Sequence, residues 1–116
     1  MTETPPTRLP DVGPEEAADL IQHGGALLLD VREPQEWVAG HAPQAEHLPL
    51  DQVGSAAVPR DRPVIAVCRS GNRSGKAAAA LAADGVPVHN LAGGMKAWAL
   101  AGLPVVTDDG APGTVA

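Results

Sequence analysis

Two short apolar runs dominate the pattern. Ala26-Leu27-Leu28-Leu29 and Val64-Ile65-Ala66-Val67 carry no polar position. Runs this brief and this continuous predict strands covered on both faces. A third strand is expected over 86–91, and a short edge strand over 47–50, where Pro49 cannot serve a central ladder. Between them the pattern turns helical. Gly13-Pro14-Glu15-Glu16 opens a helix, because proline suits the first helical turn and acids suit its positive end. Ala17, Ala18, Leu20 and Ile21 form its apolar stripe, and Gly24-Gly25 ends it. Further helices are expected over 34–39, closed by Gly40, over 74–83, closed by Asp84-Gly85, and over 95–100 after a Gly93-Gly94 turn. Strands that alternate with helices imply an α/β domain with a mostly parallel sheet and helices on both faces. In such folds sites gather at the carboxyl ends of the strands. Asp30 to Arg32, Cys68 to Arg73 and Ala92 to Gly94 all fall there.

The second apolar run ends on the only cysteine, in Cys68-Arg69-Ser70-Gly71-Asn72-Arg73-Ser74. Strand, tight loop and helix in that order aim backbone N–H groups and a positive helix end at the sulfur. A thiol held that way loses its proton readily and becomes a nucleophile. Gly71 supplies the positive φ a tight curl needs, Asn72 tolerates unusual angles, and Ser74 is placed to cap the next helix. Arg69 and Arg73 add two cations beside an anion nest. The plain alternative is a small buried hydrophobe at a strand end; two arginines, a glycine and a serine within six residues argue against a mere core turn.

Composition narrows the remaining classes. The 116 residues suffice for one domain, expected over 8–106, between a flexible arm over 1–7 and a flexible tail over 107–116. The net charge is −6, and the six arginines and two lysines form no stripe, so nucleic acid is not an expected partner. With two tryptophans as the only aromatic residues there is no platform for stacking bases. No stretch suits a membrane span or a leader peptide, and a lone thiol fits a reducing compartment, so a cytoplasmic monomer is the default expectation. His41 and His47 match no zinc spacing, and Gly93-Gly94 lacks the lysine of a phosphate loop; no metal is expected. Trp37 and Trp98 read as core anchors. Asp30, Arg32 and Glu36 read as scaffold, with Arg32 and Glu36 paired around a turn and Asp30 serving backbone donors.

Three segments together resemble the single-domain rhodaneses, the thiosulfate-type sulfurtransferases. They are Leu29-Asp30-Val31-Arg32-Glu33 with Glu36-Trp37 and Gly40-His41; Val67 to Ser74; and Leu91-Ala92-Gly93-Gly94-Met95-Lys96-Ala97-Trp98. The resemblance implies a three-layer α/β/α domain around a central, mostly parallel five-stranded sheet. It implies that Cys68 accepts a sulfane sulfur as a persulfide and passes it on in a ping-pong scheme. The amides of Arg69, Ser70, Gly71, Asn72 and Arg73 would hold the persulfide. The arginine side chains would bind a small anionic donor such as thiosulfate. The acceptor would be cyanide, a thiol or a sulfur-relay protein, with no cofactor. Asp30, Arg32, Glu36, Ser74, Gly93 and Gly94 would shape the surroundings. The chain departs from the family pattern at Ala42, Gln44 and Val86, which concern packing and turns. Two other readings belong beside it. Phosphatases and arsenate reductases of related fold also use a cysteine loop ending in arginine, but with five intervening residues where this chain has four. Rhodanese-like modules that bind or regulate without catalysis commonly lack the cysteine.

Overall fold

The computed structural model describes residues 7–54 and 58–116; most of the expected N-terminal arm lies outside them. In chain order the elements are α1 (Pro14–His23), β1 (Leu27–Asp30), α2 (Pro34–Ala39), β2 (Glu46–His47), a 3-10 turn (Leu50–Gln52), β3 (Val64–Val67), α3 (Asn72–Ala83), β4 (Val88–Asn90) and α4 (Gly94–Leu100). The two apolar runs become the central strands, buried at every position.

The strands are parallel throughout, in the order β2-β1-β3-β4. Alternate residues divide the core into two layers, because successive side chains leave a strand on opposite faces. Leu27, Leu29, Val64 and Ala66 pack on one face with Ala77, Ala78 and Leu81 of α3. Leu28, Ile65 and Val67 pack on the other with Ala17 of α1 and Met95 and Trp98 of α4. The result is the expected three-layer α/β/α arrangement.

Among the described residues the sheet has four strands, not five. The segment 7–12 runs beside β4 at its free edge: Leu9 N–H donates to the Val88 carbonyl and Val12 N–H to the Asn90 carbonyl. It forms only isolated bridges, at Arg8 and Val12. Between them the register slips by one residue, Arg8 facing Val88 and Val12 facing Leu91, which interrupts the ladder. The edge strand over 47–50 shrinks to Glu46–His47.

From β1 the chain steps outward to β2; from β3 it steps the other way to β4. The strand order therefore reverses between β1 and β3, the place where doubly wound sheets open a crevice at their carboxyl ends. Asp30 and Cys68 sit at that point: Asp30 lies opposite Val67, the residue before Cys68.

The tail over 107–116, expected to be flexible, folds back on the domain. Gly113 N–H donates to the Val105 carbonyl and Thr114 N–H to the Ala39 carbonyl, both at 2.9 Å. Val115 joins the second core layer. Gly40 permits this approach: a Cβ there would lie 2.5 Å from the Thr114 carbonyl oxygen.

Candidate active site

Cys68 ends β3, and the chain curls at once into α3. Gly71 makes the curl with φ +112°, a conformation costly for any residue with a Cβ. Its N–H donates to Cys68 Sγ at 3.0 Å, and the Ser74 hydroxyl lies 3.3 Å from the same sulfur. Burial pushes the thiol's pKa up. The Ser74 hydroxyl and the backbone N–H groups of Ser74, Gly71 and Ser70 outweigh that and leave it below the ordinary 9.0. Cys68 is 1 % exposed, so the sulfur is closed off yet ringed by donors.

The loop's orientation is enforced from behind. Met95 N–H donates to the Cys68 carbonyl at 2.8 Å and Lys96 N–H to the Arg69 carbonyl at 3.0 Å. The first turn of α4 thus takes up loop carbonyls, leaving the loop amides to face the sulfur. Gly93 and Gly94, at φ +77° and +60°, bring α4 in this close. A Cβ on Gly94 would stand 2.5 Å from the carbonyl oxygens of Cys68 and Arg69.

Asn90, 7 % exposed at the end of β4, completes the interior. Its Oδ1 accepts from Ser74 Oγ at 2.6 Å and its Nδ2 donates to the Gly71 carbonyl at 3.3 Å. The sequence reading passed over Asn90; a polar residue closing an otherwise apolar strand beside the loop was the available signal. Ser74 does not cap α3, whose N-cap is Gly71. Its hydroxyl turns inward, within reach of Asn90 Oδ1 at 2.6 Å and of the sulfur at 3.3 Å, with one proton to give to either. Asn72 has ordinary helical angles, since positive φ among the described residues is confined to glycines.

The charged residues pair differently from expectation. Arg32 does not meet Glu36. Wholly buried, it binds Asp30 from Nε and Nη2, at 3.0 and 2.8 Å, and donates from Nη2 to the Gly40 carbonyl at 2.7 Å. A guanidinium two residues from a carboxylate can fold back on it when both side chains leave the strand end together. Glu36 instead meets Arg73 in a two-pronged pair, at 2.6 and 2.8 Å. The Arg73 hydrogen bond outweighs burial and lowers the Glu36 pKa to about 2. Arg73, expected to receive an anionic donor, is thereby engaged. Arg69 is exposed and donates from Nε to the Ala116 carbonyl at 3.0 Å.

Trp98 is a core anchor, fully buried, with Nε1 donating to the Pro104 carbonyl. Trp37 is not. It is half-buried, stacked between His41 at 3.5 Å and His47 at 4.8 Å, with Nε1 donating to Asp108 of the tail. Among the described residues no group of three or more His, Cys, Asp or Glu is placed to hold a metal ion. No helix of the described residues is long and apolar enough to cross a membrane.

Residues 13–101 match the family model described as Rhodanese-like domain. A protein of Allochromatium vinosum named sulfurtransferase is 44 % identical over 87 residues, covering 72 % of this chain and 81 % of its own length. An uncharacterised protein of Synechocystis is 38 % identical over 104 residues; the match covers 87 % of this chain but 58 % of that longer relative. The crystal structure of a rhodanese-related protein from Thermoplasma volcanium superposes with a TM-score of 0.79 at 26 % identity, covering 86 % of this chain and all of that one.

Proposed function

The chain belongs to the rhodanese-like domain family, and from that premise we propose that it is a sulfurtransferase working through a Cys68 persulfide, with thiosulfate or a related small anion as donor. The Cys68 thiolate attacks the sulfane sulfur of the donor. The sulfur–sulfur bond of thiosulfate breaks, sulfite leaves with the electron pair, and Cys68 carries the extra sulfur as an anion. A thiophilic acceptor (cyanide, a thiol or a relay protein) then attacks the outer sulfur, and the Cys68 thiolate leaves. Each half is a displacement at sulfur and needs neither metal nor cofactor.

One observation carries this reading: the inward N–H of Gly71 at 3.0 Å from Sγ, in a ring of donors that lowers the thiol pKa. The same donors suit the terminal sulfur of a persulfide, which carries the same single negative charge one atom further out. The four-residue interval between Cys68 and Arg73 favours a single sulfur over a tetrahedral phosphate, and the cysteine itself favours catalysis over a purely binding module. A monomer in the cytoplasm is part of the proposal, in keeping with one unpaired thiol.

The test is mass spectrometry of the intact chain after thiosulfate treatment. One added sulfur on Cys68, removed by cyanide and absent in Cys68→Ser, is expected. An unmodified Cys68 alongside robust hydrolysis of an aryl phosphate would overturn the assignment in favour of a phosphatase.

A further inference from the structure

The two loop arginines are not equivalent. Arg73 presents both terminal nitrogens to the carboxylate of Glu36, and that carboxylate is fixed a second time by the Glu33 N–H at 2.9 Å. Glu36 is therefore anchored in the first turn of α2, with its side chain 15 % exposed, while Arg73 is 34 % exposed. Arg73 also feels the charge of Cys68, which places the pair within electrostatic reach of the sulfur. Arg69 is held differently: among the described residues only its Nε is engaged, by an oxygen of Ala116, the last residue of the sequence, at 3.0 Å. A bidentate guanidinium–carboxylate pair is nearly neutral at a distance, so its arginine offers an incoming anion far less than a free one.

We propose that Glu36 is the specificity-determining residue of this site: it occupies the Arg73 guanidinium and holds a fixed carboxylate beside the loop, curbing the preference for anionic donors and leaving Arg69 as the cation that meets them. Applied to sulfur donors, this rests on the sulfurtransferase reading; the charge discrimination at Cys68 does not. The functional consequence is a site less committed to a dianion such as thiosulfate than two free arginines would make it, and correspondingly more open to uncharged or singly charged donors.

Alkylation of Cys68 in the full chain separates the two ideas. Iodoacetamide is uncharged and iodoacetate carries one negative charge; in both, the thiolate takes the methylene carbon and iodide leaves. Their rate ratio cancels changes in thiol acidity and in access to the sulfur. Glu36→Gln keeps an acceptor for Arg73 but removes the charge, and is expected to raise the iodoacetate-to-iodoacetamide ratio about three- to tenfold at low salt, with the gain shrinking as salt is added. Glu36→Asp keeps the charge and should leave the ratio within about twofold of the parent. An unchanged or lowered ratio in Glu36→Gln, as a purely structural role predicts, overturns the proposal. So does an equal rise in Glu36→Asp. With thiosulfate, Glu36→Gln should lower KM more than it changes kcat. If thiosulfate leaves no sulfur on Cys68 in any variant while the alkylation ratio moves as expected, the sulfurtransferase reading fails and the role of Glu36 stands.

Discussion

Two arginine–carboxylate pairs lie close together in this molecule, and they do opposite work. Asp30–Arg32 is sealed, both side chains at 0 % exposure. Glu36–Arg73 sits at the rim, partly open to solvent. The sealed pair links the end of β1 to the Gly40 carbonyl, and so fixes where α2 ends relative to the sheet. Its two charges face each other and neither meets solvent. The rim pair joins α2 to the start of α3, beside the nucleophile, where its charge is felt by whatever approaches. Burial, more than residue type, decides which pair is scaffold and which adjusts chemistry.

Removing one partner of each pair tests this division most severely. Arg32→Ala leaves the Asp30 carboxylate buried and alone, and a loss of about 3–5 kcal/mol is expected in chemical denaturation. A loss no larger than that of a rim variant would erase the distinction. Gly94→Ala asks whether the loop can be disturbed apart from the sealed pair. Its Cβ would strike the Cys68 and Arg69 carbonyls from a left-handed backbone position, at an expected cost of about 2 kcal/mol. The pH profile of Cys68 alkylation should move back up toward the ordinary thiol value as the amides turn away; an unmoved profile would show that the first turn of α4 does not orient them.

Acid titration sharpens the rim pair. Glu36 has a folded pKa of about 2 against 4.5 ordinarily, so its contribution is fully present above 4.5 and lost as pH falls through 2. Discounted for solvent screening, that is about 1–2 kcal/mol, which Glu36→Gln should remove from the acid limb of the stability curve. A variant with the parent's acid limb would show that the pair contributes nothing to folding. Arg73→Ala breaks the same pair and should cost a similar amount at neutral pH, about 1–2 kcal/mol by thermal melting. The same variant bares the Glu36 carboxylate and should raise KM for thiosulfate more than for an uncharged donor.

The strands, helices and loop were legible because each is a local pattern. An unbroken apolar run, a proline at a helix start or a glycine in a curl states its conformation within a few residues. Partner choice was not legible in this way. Arg32 folds back on Asp30 because both lie at the carboxyl end of β1, two residues apart, and Glu36 reaches a residue 37 positions away. Ser74 of α3 abandons the cap for Asn90, which stands at the end of β4. The segment 7–12 stays short of a fifth strand because its register against β4 slips by one residue between Arg8 and Val12, which no local pattern announces. The tail looked loose because its Gly, Pro, Thr and Asp residues carry no periodicity, yet docking needs only backbone hydrogen bonds and a glycine at position 40 to receive them.

The setting of Trp37 equips the chain with an optical reporter. There are two tryptophans and no tyrosine, so near-ultraviolet emission comes from two indoles alone. Trp98 is enclosed and should glow steadily as long as the domain is folded. Trp37 is flanked by imidazoles and follows Glu36 directly on α2, so its brightness should vary with any displacement of that helix. A shift of α2 can therefore be watched without a label, with one indole as the signal and the other as its reference.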